Sequence, residues 1–204
     1  MIETNIQDKK ESFLKKEFFM LSWEAAVQQR NEGQKLFKNN ISDGEKNKFK
    51  YDLFEFTEEI LENYKENKVN SNVHHGNLSK VRNFIRKKKE IFADGSYAFN
   101  FSTVQKYFNM MCKYYWCAGF IEEPPELPID SINLSNIGIK DSWTKEIITI
   151  SDYEKKIEDF RSNECVLSES SLAVWELKNW ERRQFNGQKN EGGLMDVIRC
   201  DEKE

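Results

Sequence analysis

Two titratable side chains in the stretch 101–134, FSTVQKYFNMMCKYYWCAGFIEEPPELPIDSINL, fall where a helix start acts on their charge. A neutral amine can attack an electrophilic carbon and form a Schiff base, but free lysine is almost wholly protonated at neutral pH. Lys106 lies in the first turn and a half of an expected helix, where the positive dipole end and partial burial both disfavour the ammonium form. Asp130 opens the next expected helix, where the dipole keeps a carboxylate ionised, ready to accept a proton or face developing positive charge. On spacing alone the plainer readings stand beside these. Lys106 reads as a solvated lysine on an amphipathic helix, and Asp130 as a structural N-cap contributing about 1 kcal/mol.

Other arrangements that could carry chemistry are weak or missing. Cys112, Cys117, Cys165 and Cys200 show no metal-ligand spacing; most read as reduced thiols in or near the core, and the even count permits disulfides only in an oxidising compartment. His74-His75 has no third ligand nearby and reads as a loop or capping feature, so no metal and no cofactor is expected. There is no phosphate-cradling glycine loop, no Ser-His-Asp arrangement and no internal repeat.

Several elements must position Lys106 and Asp130. Ser102 and Gln105 have capping-box spacing, which predicts a helix from about Thr103. Val104, Phe108, Met111, Cys112 and Tyr115 form its buried stripe, with Lys106, Asn109 and Lys113 on another face. Gly119 is the stop signal, and Pro124, Pro125 and Pro128 force an extended turn before Asp130 caps a helix carrying Ile132 and Leu134.

Upstream, residues 9–30 predict an amphipathic helix burying Phe13, Leu14, Phe18, Leu21, Ala25 and Val27. Residues 46–65 predict a second, with Phe49, Leu53, Phe56, Ile60, Leu61 and Tyr64 inward and Asp52, Glu55, Glu58, Glu59 and Glu62 outward. Residues 66–77 read as a linker, and 78–92 as a basic helix with Val81, Phe84, Ile85 and Phe92 inward. Downstream, Ile147–Ile150 is an extended connector, Ser151 and Glu154 suggest a capping box starting a helix to about Arg161, and residues 168–185 hold the last long helix with Leu172, Trp175, Leu177 and Trp180. Residues 186–204 read as a mobile tail.

The chain of 204 residues is 38% hydrophobic and 32% charged, with 15 Phe and 5 Trp, which fits a globular all-α unit with an aromatic core. No apolar run reaches the roughly 20 residues that span a membrane, and MIETNIQDKK has no apolar signal core, so a cytoplasmic location is expected. A net charge of −4 argues against coating nucleic acid by bulk attraction. A local footprint is compatible with it: Lys80, Arg82, Arg86, Lys87, Lys88 and Lys89 occur with no acid among them. Such a run is ordinarily a solvated helix face.

Gln105-Lys106, Lys113-Tyr114-Tyr115-Trp116, Pro124-Pro125, Pro128 and Asp130 together resemble the core of bacterial proteins with the 8-oxoguanine DNA glycosylase fold. That pattern runs Phe-Gly-x-x-Gln-Lys, then an aromatic Lys-Tyr-x-Trp helix end, then Pro-Pro-x-x-Pro-x-Asp. The segment is more distantly similar to archaeal 8-oxoguanine glycosylases, where a lysine early in one helix works with the aspartate of a Pro-x-Asp turn. The close similarity covers about 34 of 204 residues, with weaker similarity reaching His75, Ile85, Trp143 and Tyr153. The chain departs from the pattern at or beside Ser102, where a glycine is usual, and at Glu126-Leu127, where His-Cys is usual.

The resemblance implies a compact helix-hairpin-helix DNA glycosylase-like domain spanning 1–204, with 78–137 as its core. It implies excision of a modified purine from duplex DNA, with Lys106 as nucleophile and Asp130 as its partner, and an accompanying AP-lyase step. It places Lys80, Arg82, Arg86, Lys87, Lys88, Ser102, Thr103, Gln105 and Lys113 against DNA, and Trp116 and Trp143 at the base pocket, although core packing explains either tryptophan as well. Two alternatives remain: a glycosylase-fold module without chemistry that binds nucleic acid or a protein partner, as in defence against foreign DNA, or an unrelated helical interaction protein.

Overall fold

In the computed structural model, residues 5–27, 35–94 and 96–180 are described. Among them the regular structure is helical: α1 (Ile6–Val27), α2 (Asp43–Leu61), α3 (Ser71–Lys87), α4 (Phe101–Cys117), α5 (Ser131–Asn136), α6 (Trp143–Glu146), α7 (Ile150–Ser162), α8 (Glu164–Leu167) and α9 (Leu172–Lys178). The only extended pairing among the described residues is a single bridge between Phe37 and Phe92. The all-α expectation therefore holds, and none of the described helices is long and apolar enough to cross a membrane. The expected tail at 186–204 and the end of the last expected helix lie outside the described residues.

α4 is the central helix, with α1, α3, α6 and α7 packed against it. Phe101, Val104, Tyr107, Phe108, Met111, Cys112 and Tyr115 are all buried, so its apolar stripe falls where the spacing puts it. Its N-terminus differs from the expectation. The helix begins at Phe101 behind Asn100, without a side-chain cap, and the free Ser102 amide is satisfied instead by the Ile147 carbonyl at 2.9 Å. Its C-terminus follows the glycine signal. Gly119 sits at φ 74°, the Phe120 amide donates to the Tyr115 carbonyl at 2.8 Å, and the Gly119 amide donates to Trp116 at 2.9 Å. These two bonds form a Schellman motif, which turns the chain sharply into the proline segment.

Several upstream elements are corrected. α1 fully buries Phe19, Ser22, Trp23 and Ala26; of the expected set Phe18 and Val27 pack partly against the core, whereas Phe13, 61% exposed, Leu14 and Leu21 face outward. Its apolar residues surround the helix, so periodicity alone does not choose a face. α2 starts earlier than expected, at a capping box in which Ser42 Oγ accepts from the Glu45 amide and the Ser42 amide donates to Glu45. Glu58 is turned inward, accepting from the Tyr115 hydroxyl and lying 3.2 Å from Lys15. The expected linker at 66–77 is in large part the first half of α3, capped by Asn70.

Downstream, α7 is capped by a Thr149–Asp152 box rather than by Ser151 and Glu154. Ile147 is buried beside α4, and Ile150 already belongs to α7. Of the final helix expected over 168–185, the described part is helical only in α9, capped by Ser171, and the separate short α8 precedes it.

Candidate active site

The segment from Pro124 to Asp130 is irregular, yet most of it is buried, so its backbone polar groups need partners inside the protein. α4 supplies several. Gln105 Nε2 donates to the Ile129 carbonyl at 2.7 Å, and its Oε1 accepts from the Ile129 amide at 2.9 Å. Asn109 Nδ2 donates to the Leu127 carbonyl at 3.0 Å, and Asn133 from α5 donates to the Pro128 carbonyl at 2.8 Å. Three amide side chains thereby fix the turn residue by residue.

This clamp delivers Asp130 to the start of α5. One carboxylate oxygen accepts from the Ile132 and Asn133 amides at 2.9 and 3.1 Å, as an N-cap should. The other lies 3.4 Å from Lys106 Nζ. The two side chains are 16% and 20% exposed, so the pair is sheltered but not sealed from solvent. Lys106 Nζ also sits 5.3 Å from the centre of the Trp143 ring, close enough for a cation–π attraction.

A second charged pair extends this surface. Lys113 Nζ lies 2.6 Å from Glu176 Oε1 and 4.7 Å from the Trp180 ring centre. The Asp130 charge reaches both members of the pair, so the two lysines share one polar seam between α4, α5 and α9. Burial pushes the Lys113 ammonium down and the Glu176 carboxyl up, and their mutual contact opposes both shifts.

Behind the turn lies a buried network that sequence spacing does not reveal. Glu126 is 1% exposed, yet it accepts from His75 Nε2 at 2.8 Å, the Tyr153 hydroxyl at 2.7 Å and Arg161 at 3.2 Å. Burial would raise its carboxyl, but the His75 hydrogen bond, together with the His75 charge, outweighs it and holds the group below the usual carboxylate range. His75 is raised, chiefly by the bond to Glu126, and its Nδ1 faces Glu154 at 3.1 Å. Both ring nitrogens therefore point at carboxylates, which suits the imidazolium form.

His74 is fully buried and is lowered by that burial. Asn109 has its amide nitrogen committed elsewhere, so its Oδ1 accepts from His74 Nε2 at 2.8 Å, while His74 Nδ1 accepts from the Tyr64 hydroxyl at 2.9 Å. That pattern fixes the neutral Nε2–H tautomer. The expectation of a loop or capping role for the histidines is thus replaced by a structural role within α3. Among the described residues no group of histidine, cysteine or acidic side chains is arranged to hold a metal ion.

The other expected site residues separate into three groups. Ser102, Thr103 and Gln105 are buried, and Lys113 is buried in its ion pair, so none of the four is presented as a phosphate contact. This corrects the expectation for them, because the start of α4 is covered by the 143–147 segment and the proline turn. Arg82 is half-buried, donating to the Phe99 carbonyl at 3.0 Å with its guanidinium 5.8 Å from the Phe101 ring centre. It anchors α3 to the approach to α4. Lys80 donates to Asn77 at 3.1 Å, while Arg86 and Lys87 are exposed and Lys88 half-exposed at the end of α3.

Trp143 is buried and Trp116 packs partly against the core, so neither offers an open ring face. The tryptophan on the seam is Trp180, which spacing assigned only to packing. Asn109, Glu126, Tyr153 and Glu176 were also missed. The one available signal was that Gln105, Asn109 and Lys113 form a polar line at four-residue intervals on a helix otherwise rich in aromatics.

Comparison of the chain with protein-family models, with curated proteins and with solved structures finds no match in any of the three.

Proposed function

We propose that the protein is a DNA glycosylase with AP-lyase activity, acting on a modified purine of the 8-oxoguanine kind. The observation that carries the reading is the 3.4 Å approach of Lys106 Nζ to an Asp130 carboxylate fixed in place by its own cap bonds. In the first step the Lys106 proton passes to Asp130, and the freed amine attacks C1′ of the nucleoside. The C1′–N bond breaks, and its electron pair leaves with the base. The second amine proton is handed to O4′ as the C1′–O4′ bond opens, which gives the protonated imine, and the proton held by Asp130 passes to the departing base. Trp180, exposed beside the buried Lys113–Glu176 pair, borders the same seam and offers an aromatic face to a planar base.

One observation favours the runner-up, a glycosylase-fold module that binds nucleic acid or a protein without chemistry. The Lys106 ammonium is already matched by Asp130 and by the Trp143 ring, as in a static ion pair. Borohydride trapping on duplexes carrying 8-oxoguanine or an abasic site separates the two. Wild type is expected to form a covalent adduct, Lys106→Ala none, and Asp130→Asn at least about tenfold less at unchanged fold stability, because asparagine caps nearly as well but takes up no proton. No adduct from wild type on any lesion, with salt-dependent DNA binding retained, selects the module.

A further inference from the structure

The segment 35–38 and the end of α3 are far apart in sequence, but the bridge between Phe37 and Phe92 joins them. The Lys38 amide donates to the Ile91 carbonyl and the Ala93 amide to the Leu36 carbonyl, each at 3.0 Å, and the two phenylalanine rings stack at 5.3 Å. The pairing sets Lys38 against Ile91, two residues beyond the Arg86–Lys89 run, while the same register carries Lys35 toward Asp94. Next to the bridge opens a polar cavity of about 390 Å³ lined in part by Lys35, Lys38 and Lys46.

The charges here are largely uncompensated. Lys46 pairs with Asp43 at 2.9 Å, but among the described residues Lys35 donates only to the neutral Asn39, at 2.8 Å. Among the described residues no carboxylate forms an ion pair with Lys35, Lys38, Arg86, Lys87, Lys88 or Lys89. In a chain of net charge −4 this is a concentrated positive field.

We infer that this joined surface, Lys35 and Lys38 with Arg86–Lys89, is a docking face for the phosphodiester backbone of duplex DNA. The chemistry of the face selects the occupant. A bilayer needs an apolar anchor beside the charge, and none of the exposed large hydrophobic side chains belongs to residues 35–50 or 80–100. A single strand needs open aromatic faces to stack on, whereas Phe92 is buried and Phe37 packs against Phe92 and Phe49. What remains exposed is ammonium and guanidinium groups, which suit phosphates without reading bases. The face extends the proposed DNA partner and rests on that reading only for the choice of nucleic acid; it does not depend on Lys106 chemistry.

The test is fluorescence anisotropy with a short undamaged duplex over a salt series. Wild type is expected to bind with a steep salt dependence. Lys35→Glu/Lys38→Glu should lose at least about tenfold in affinity and lower the salt slope by roughly two, in line with about 0.9 per phosphate contact. Lys35→Gln/Lys38→Gln, milder for folding, should show the same direction. Wild-type affinity in both lysine-pair variants overturns the docking face, as does tighter binding of wild type to anionic phospholipid vesicles or to a single strand. Borohydride trapping on the same preparations keeps the outcomes apart. Duplex binding that depends on Lys35 and Lys38 without any adduct sinks the glycosylase reading alone, and an adduct with no such dependence sinks the docking face alone.

Discussion

Replacing Gln105 by methionine keeps the side-chain volume and removes only hydrogen bonds, which makes it a direct test of how the proline turn is held. Gln105 is fully buried and exchanges two bonds with Ile129, at 2.7 and 2.9 Å. Ile129 is buried too, so water is not available to replace either bond. Each stranded backbone group costs about 1–3 kcal/mol, and the volume match adds little, so the loss should be about 2–6 kcal/mol. Against a domain stability of roughly 5–15 kcal/mol this is large but survivable. Urea unfolding followed by tryptophan fluorescence should show a lower midpoint at unchanged slope. Asp130 follows Ile129 directly, so borohydride trapping should fall in the same variant. A cost under about 1 kcal/mol, the size of a lost helix cap, would refute the clamp and return Gln105 to a local capping role.

Two further outcomes follow from the buried charges. Lys113→Met should cost about 3–5 kcal/mol because Glu176 is left buried opposite an apolar group, while the double change Lys113→Met/Glu176→Leu should recover most of it; equal losses in urea for single and double variants would refute the pairing. His75 titrates above its ordinary value, so its contribution is complete below about pH 6.5 and fades as pH rises through the raised value. His74, lowered by burial, contributes above about pH 6.5 and is lost as pH falls through its depressed value. The wild-type melting temperature should therefore decline on the alkaline side of neutrality, and His75→Gln should flatten that limb; a decline of equal size in the variant would rule out His75 as its source.

What the sequence revealed about the site was local, and what it hid was distant. The α4 stripe, the Gly119 stop and the Asp130 cap each depend on neighbours within a turn or two, and all three are where spacing puts them. Gln105 misled because its partner, Ile129, lies 24 residues away and a nearby serine mimicked a capping box. His74 resembled loop sequence because Gly76 and its polar neighbours carry little helical signal. Its burial depends on Tyr64 and Asn109, which no periodicity joins to it. The face of α1 was illegible for a different reason: apolar residues occur all round that helix, and only docking on α4 decides which are covered.

The turn between Gly119 and α5 is ordinarily the sort of segment in which homologous proteins drift, lengthen and exchange residues. Here its polypeptide is stitched to α4 by Gln105 and Asn109, to α3 and α7 through Glu126, and to α5 by Asn133. Transplanting it into another scaffold would fail unless those acceptors and donors travelled with it. Conversely, the outward side of α1, though regular helix, is free to be rewritten.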